Sequence, residues 1–230
     1  VTIIARLARE RGRTRLGWLD SWHSFSFGSY QDSRHMGIRA LRVINDDTVA
    51  AGRGFGEHGH RDAEIFSYVL SGRLEHRDSL GNTRVIEAGD VQYMSAGSGV
   101  LHSEINPSAS EPVRFLQVWL LPNVIGAEPR YADTRISGPA RRTLLFSASG
   151  RSGSIAIRAD AEVYSLRLGK GERLDHALAP GRGAYVHVIR GMLEVAAITL
   201  NEGDAAAIDS IARIEGFARS DADVLLFDLA

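Results

Sequence analysis

Two short residue pairs hold the chemistry of this chain: His58-Gly59-His60 and His102-Ser103-Glu104. Each pair is spaced i, i+2. Along a β-strand successive side chains point to opposite faces, so the members of a pair look the same way, roughly 7 Å apart. Two such strands side by side, turned inward, would gather three imidazoles and one carboxylate around a single point. Those are donors that divalent transition metals take, with room left for solvent or substrate. Glu64 competes with Glu104 for the acidic position, because counting on from the first pair gives it the parity of His58 and His60. Glu57 has the opposite parity and should point outward. His23 and His35 are expected in loops or behind the ligands, and His76 and His187, in strand patterns without partners, are expected to be structural. Phe25, Phe27, Phe55, Phe66, Tyr93 and Met94 are of a size to wall a pocket for a flat aromatic ligand, with ordinary core packing the stronger reading of each.

Strands must position these residues. Short alternating or apolar runs dominate the chain: Ile38–Asn45, Glu64–Ser71, Arg84–Ile86, Val91–Ser95, Val100–Ile105 and Val113–Leu121. They are rich in β-branched and aromatic residues and separated by glycine-containing turns. Asp78-Ser79-Leu80-Gly81-Asn82 reads as a hairpin turn. Long amphipathic helical patterns are absent, which predicts an all-β chain with a few short helices. The second half echoes the first: Gly72-Arg73-Leu74-Glu75 resembles Gly191-Met192-Leu193-Glu194, Glu87-Ala88-Gly89-Asp90 matches Asn201-Glu202-Gly203-Asp204, and Phe115–Leu120 is answered by Val224–Leu229. The order and separations agree, as an internal duplication of one β-module would give. The join is expected in the polar stretch 123–142. The offsets of His58 and His60 from Gly72 land, counted from Gly191, on Ala177 and Ala179. The counterpart of the second pair falls near Arg213–Gly216, again without an imidazole. One module carries ligands and the other is empty, so the four residues serve a site and not the fold.

Composition bounds the rest. At 230 residues, with 44% hydrophobic and 24% charged residues, the chain is of ordinary globular make-up. A net charge of −1 gives no field to recruit nucleic acid or an anionic membrane. Arg6, Arg9, Arg11, Arg13 and Arg15 form a basic stretch, read as a solvated face or arm. The absence of cysteine excludes disulfides, iron–sulfur clusters and thiolate catalysis. There is no Gly-x-Ser-x-Gly elbow, Walker loop, secretory signal or apolar run of membrane-spanning length, and a cytoplasmic location is expected.

The residues around both pairs resemble the cupin superfamily, and more closely the pirin family within it. Gly52-Arg-Gly-Phe-Gly-Glu-His58-Gly-His60-Arg-Asp-Ala-Glu64, followed by Gly72, is similar to the first cupin motif with one extra residue at its end. Gly89, Gly97, His102 and Asn106 follow the looser second motif. Gly17–Gly28 and Met94–Glu104 look like bacterial pirin-like proteins almost throughout. The resemblance implies a bicupin, two jelly-roll β-barrels in tandem, with residues 1–135 carrying one mononuclear metal and residues 136–230 none. The pirin pattern takes its ligands from the His-x-Glu pair, which implies His58, His60, His102 and Glu104, with Glu104 as the catalytic base. Glu64, Phe55, Phe25, Phe27 and Met94 are then candidates for the surroundings of the ion. Three imidazoles and a carboxylate in a six-coordinate shell leave places for substrate and dioxygen, which favours Fe(II) over Mn, Co, Ni, Cu or Zn. The activity implied is quercetin 2,3-dioxygenase, an oxidoreductase acting on a flavonol-like enol. The alternative is an iron- or redox-dependent regulatory protein acting through a protein partner without turnover. A monomer is expected.

Overall fold

The computed structural model describes residues 2–136 and 140–230. Among these, strands build two seven-stranded and two four-stranded sheets, and helix is limited to the short turns Ala8–Glu10 and Arg151–Gly153. The chain is an all-β bicupin. Each barrel is one large sheet folded over one small sheet, with alternate side chains of every strand pointing inside. No helix among the described residues is long and apolar enough to cross a membrane.

The two halves correspond in the five inner strands of each large sheet and in both small sheets, and differ at the edges, where Ile155–Ala156 pairs parallel and Gly12–Arg15 antiparallel. In the first large sheet the order is Arg130–Arg135, Asp90–Ser95, Glu64–Ser71, Val113–Leu120, Leu41–Val49, Leu19–His23 and Gly12–Arg15; in the second it is Thr2–Arg6, Ala205–Asp209, Gly183–Arg190, Ala222–Leu229, Ala161–Leu168, Arg142–Ser147 and Ile155–Ala156. The small sheets match likewise: Gly54–His60, Val100–Ile105, Arg73–Asp78 and Thr83–Glu87 against Arg173–Ala177, Arg213–Ala218, Met192–Val195 and Ile198–Asn201. The hairpin turn read at Asp78–Asn82 joins two of these strands.

One edge of each large sheet is closed by an added strand, which in the second barrel comes from the opposite end of the sequence and in the first from the segment that follows its last inner strand. Thr2–Arg6 pairs with Ala205–Asp209 in the second barrel, and Arg130–Arg135 pairs with Asp90–Ser95 in the first. Each added strand covers backbone donors and acceptors that an open edge would expose. The stretch 123–142 is thus not a bare linker, although residues 137–139 within it, at the expected join, lie outside the described residues. The basic stretch is only partly solvated as expected: Arg9, Arg13 and Arg15 are exposed, but Arg6 and Arg11 are not. Arg6 is buried, its Nε donating to Ser24 O at 2.9 Å and its Nη2 to Tyr30 Oη at 2.9 Å. Arg11 is also largely enclosed, 3.9 Å from Asp46.

The expected strand Ile38–Asn45 runs instead from Leu41 to Val49. Asn45-Asp46-Asp47 looks like a strand end in sequence, but all three side chains are buried. Asp46 pairs with Arg114 at 2.9 Å on one face, while Asn45 and Asp47 line the barrel interior on the other.

The two large sheets pack face to face through one continuous apolar cluster. It includes Phe66, Leu116 and Val118 from the first barrel and Phe146, Tyr185 and Phe227 from the second. Phe66 and Phe146 stack across it with ring centroids 4.4 Å apart. Inside, the barrels differ. The second is filled by apolar side chains such as Leu166, Val186, Ile214 and Leu226. The first has an apolar floor of Leu74, Val113 and Phe115 and a separate apolar rim of Ile65, Met94 and Val100, with polar residues between. A core shared by both barrels should make them unfold together. Phe66→Ala is expected to cost about 3–5 kcal/mol and to shift one cooperative urea transition; two transitions, with only one displaced, would contradict the shared core.

Candidate metal centre and ligand cavity

Strand Gly54–His60 lies antiparallel to Val100–Ile105, with His58 opposite His102 and Val100 opposite His60. Between His102 and Glu104 the register shifts, and Glu104 lies opposite Phe55. The extra residues are on the Gly54–His60 side, around Gly56, and the bulge turns His58 so that its Nδ1 donates to Gly56 O at 2.8 Å. That bond leaves the lone pair on His58 Nε2, which lies 3.1 Å from His102 Nε2. The ring centroids of His58, His60 and His102 stand 4.8, 4.5 and 4.9 Å apart. His60 is braced edge-on by Trp119 at 4.8 Å.

Two overlapping groups have donor atoms within 4.8 Å of one another: His58, His60 and His102, and His76, His102 and Glu104. His102 belongs to both. His76, expected to be structural and without partners, is instead next to the centre. Its Nε2 meets Asp78 Oδ2 at 2.9 Å, its ring stacks on Tyr131 at 4.7 Å, and its Nδ1 is buried without a partner.

Glu104 is 1% exposed, and neutral side chains hold it. Ser67 Oγ donates to its Oε1 at 2.8 Å, Gln92 Nε2 to the same oxygen at 2.5 Å, and Gln117 Nε2 to Oε2 at 2.6 Å. These donors belong to a row running in register across five strands: His23, Asn45, Gln117, Ser67 and Gln92. The corresponding row of the second barrel is Leu144, Tyr164, Leu226, Val186 and Ala206. Opposite it, His102, Glu104 and His76 correspond to Ile214, Gly216 and Val195. Sequence reasoning missed Ser67, Gln92 and Gln117. The signal was there, since the three internal matches align them with Val186, Ala206 and Leu226.

Two of the imidazoles, His60 and His102, are held neutral. Burial first, then repulsion from neighbouring imidazoles, lowers His60 to about 4 and His102 to about 3. At neutral pH their lone pairs are therefore available. A buried carboxylate among neutral amides and imidazoles is a costly arrangement unless a cation shares the site. With His102 Nδ1 also buried and unpartnered, the donor set is that of a transition-metal centre.

Beside it opens a cavity of about 190 Å³. Leu19, Phe27, Phe55 and Trp119 form its apolar lining, and Thr14, Ser21, His23, Asn45 and Asp47 its polar lining. His23, expected in a loop or behind the ligands, ends strand Leu19–His23 and borders this cavity. It sits 2.8 Å from both Asn45 Oδ1 and Thr14 Oγ1, and burial lowers its pKa. Of the residues expected around the ion, Phe27 and Phe55 line the cavity; Phe25 and Met94 do not. Phe25 packs on Tyr185 in the inter-barrel core, centroids 5.3 Å apart. Met94 shares the parity of Gln92 but lies one pleat farther along, in the apolar rim. Glu64 also faces elsewhere. Its carboxylate accepts from Tyr93 Oη, from Ser95 Oγ at 2.5 Å and from Arg158 N at 2.8 Å. Parity counts only within a strand, and the chain turns at Asp62, where φ is +49°. Glu57 is exposed. His35 stays in a loop. His187 is buried in the second barrel's strand Gly183–Arg190 with neither ring nitrogen bonded.

The chain matches the family model described as Pirin over residues 5–120, and that described as Quercetinase C-terminal cupin domain over residues 144–229. It is 44% identical over 227 residues to the quercetin 2,3-dioxygenase of Escherichia coli K12, spanning 99% of this chain and 98% of that one. It is 40% identical over 218 residues to a pirin-like protein of Caulobacter vibrioides, spanning 93% and 94%. Among solved structures, YhhW from E. coli superposes with a TM-score of 0.98 at 44% identity, over 100% of this chain and 98% of that one. Bacterial pirin YhhW in complex with nickel(II) superposes with a TM-score of 0.96 at the same identity, over 99% of each chain.

Asp47, wholly enclosed beside the cavity, gives a pH signature. Burial pushes its carboxyl up to about 7, with Asp46 and Glu104 adding to the rise and a hydrogen bond from Ser21 opposing it. Because the fold raises this pKa, the contribution is full in acid and is lost as pH rises through about 7. In metal-free protein the stability of Asp47→Asn relative to the parent should therefore grow between about pH 4 and 8, by on the order of 4 kcal/mol at most. A difference that stays flat in urea titrations across that range would contradict the assignment.

Proposed function

The chain belongs to the pirin family, and on that premise we propose that it is a metal-dependent oxygenase of the quercetin 2,3-dioxygenase type, opening the ring of a flavonol-like enol with dioxygen. The observation that carries this reading is Glu104, a buried carboxylate fixed by three neutral donors beside imidazoles kept neutral by burial. His58, His60, His102 and Glu104 are the residues that would hold the ion. A divalent cation there supplies Lewis acidity, lowering the pKa of a hydroxyl oxygen and stabilising its anion. Fe(II) is the ion we assign, because three imidazoles and one carboxylate are donors it takes, and bound there it would supply both Lewis acidity and redox chemistry toward dioxygen. The nickel(II) complex of the E. coli relative supports a metal at this kind of centre.

The chain's own residues then divide the work. Glu104 accepts the enol proton, while Ser67, Gln92 and Gln117 hold its oxygens in one orientation. Phe27, Phe55 and Trp119 pack the ring and keep water from the electron-rich anion that oxygen attacks. At about 190 Å³ the cavity is smaller than the roughly 300–1,000 Å³ that encloses a drug-sized ligand. A three-ring flavonol is therefore gripped by its enol-bearing part and one adjoining hydroxylated edge, with the remainder outside.

Oxygen uptake on quercetin, with metal content measured in parallel, tests the reading. Glu104→Gln is expected to lower turnover about 100-fold or more, in line with the loss of a general base, and Glu64→Gln to stay within a few-fold of the parent. Glu104→Gln turning over at the parent rate with metal bound would end the proposal.

A further inference from the structure

Asp47 is a buried acid that neither the metal centre nor the fold requires. It is 2% exposed, faces the cavity from strand Leu41–Val49, and lies in register with Ser21 on one side and Phe115 on the other. Ser21 hydrogen-bonds the carboxyl, yet Oδ1 has no partner. A buried carboxyl oxygen left unpaired is costly, and such a group in a ligand cavity is one that a ligand satisfies. The duplicated barrel supplies the control. Its residue at the same register is Leu166, packed among apolar neighbours, so this architecture closes without an acid here.

We propose that Asp47 is the second polar anchor of the cavity, hydrogen-bonding a further hydroxyl of a polyhydroxylated aromatic whose enol oxygen is addressed by Glu104. The inference rests on the reading that such an enol occupies this cavity, and it adds which members of that class are preferred. Two oxygens on one ligand face two carboxyl groups, one beside the imidazoles and one on the opposite, large-sheet wall. The apolar side chains Leu19, Phe55 and Trp119 serve the ring between them. Asp47 Oδ1, unpartnered in the cavity wall, is placed to accept from a ligand hydroxyl. Asp47 takes no part in bond making; it selects and orients.

The experiment compares quercetin with 3-hydroxyflavone, which keeps the enol and its neighbouring carbonyl but lacks the other hydroxyls. Binding is read from tryptophan fluorescence quenching of the metal-loaded protein without oxygen. The parent should prefer quercetin by about tenfold or more, as one well-made hydrogen bond to a carboxyl would give. Asp47→Leu, which copies Leu166 of the second barrel, should shrink that preference to within about threefold while leaving 3-hydroxyflavone binding nearly unchanged. An undiminished preference in Asp47→Leu, with both compounds still bound, overturns the role of Asp47 and leaves the oxygenase reading standing. Failure of the parent to bind either compound overturns both. A crystal structure of the parent with quercetin decides the matter independently of how the variant folds: a ligand oxygen within hydrogen-bonding distance of Asp47 Oδ1 is expected, and quercetin seated in the cavity with Oδ1 unpaired overturns the proposal.

Discussion

A single buried carboxylate sets the terms for the first barrel. Glu104 is enclosed in a β-barrel whose twin is filled mainly with hydrocarbon, the His176–Asp228 pair apart, and it keeps its place because a row of polar side chains crosses the sheet beneath it. Each of Ser67, Gln92 and Gln117 would be a burden in an apolar interior. Together they donate to both oxygens of the carboxylate and, through Gln92 Nε2 to Ser67 Oγ, to one another, which is what makes a buried polar network tolerable, with Gln92 Oε1 left unpartnered. What they do not provide is a compensating positive charge. His60 and His102, kept neutral by burial, supply lone pairs for one. Cage and cation are complementary.

The second barrel shows what the fold looks like without that demand. It repeats the order of the inner strands of the first, in both large and small sheets, and places Val186, Ala206, Leu226 and Ile214 where the first places Ser67, Gln92, Gln117 and His102, although His176 stands at the register of His58. Its role is to brace. The inter-barrel core of Phe66, Phe146 and Phe227 fixes the back of the sheet that bears the polar row, and the edge strand Thr2–Arg6 ties the second barrel to the opposite end of the chain. Rigid strands on both sides hold the imidazoles close before any ligand arrives, which limits the reorganisation that binding requires.

Much of this was legible in the sequence. Spacing brought the histidine pairs onto one face, the internal repeat gave the duplicated barrel, and the glycine-flanked turns marked the hairpins. Three things were not legible, each for a physical reason. The side on which Glu64 falls depends on a left-handed turn at Asp62 that resets strand parity, and no count of residues reveals it. Asn45-Asp46-Asp47 reads as a polar strand end, because sequence alone does not say that one acid meets Arg114 while its neighbours face a cavity. His76 has a partner only two residues away, Asp78, and reaches the centre only through pairing of its strand with that of His102. Residues that hold a site are harder to read than residues that make it, since hydroxyls and amides are common and their meaning comes from register. Here the repeat itself supplies that register: Ser67 against Val186 and Gln117 against Leu226 are polar-for-apolar exchanges at interior positions.

The central claim is that three imidazoles and Glu104 share one cation inside the first barrel. Anomalous diffraction from crystals of the metal-loaded protein, collected at the absorption edge of the added ion, addresses it most directly. One strong peak per chain is expected, at about 2.0–2.2 Å from a nitrogen of each of His58, His60 and His102 and from an oxygen of Glu104. A peak ligated by His76 with Glu104 out of reach, a peak in the second barrel, or none among the imidazoles of a fully loaded crystal would contradict it.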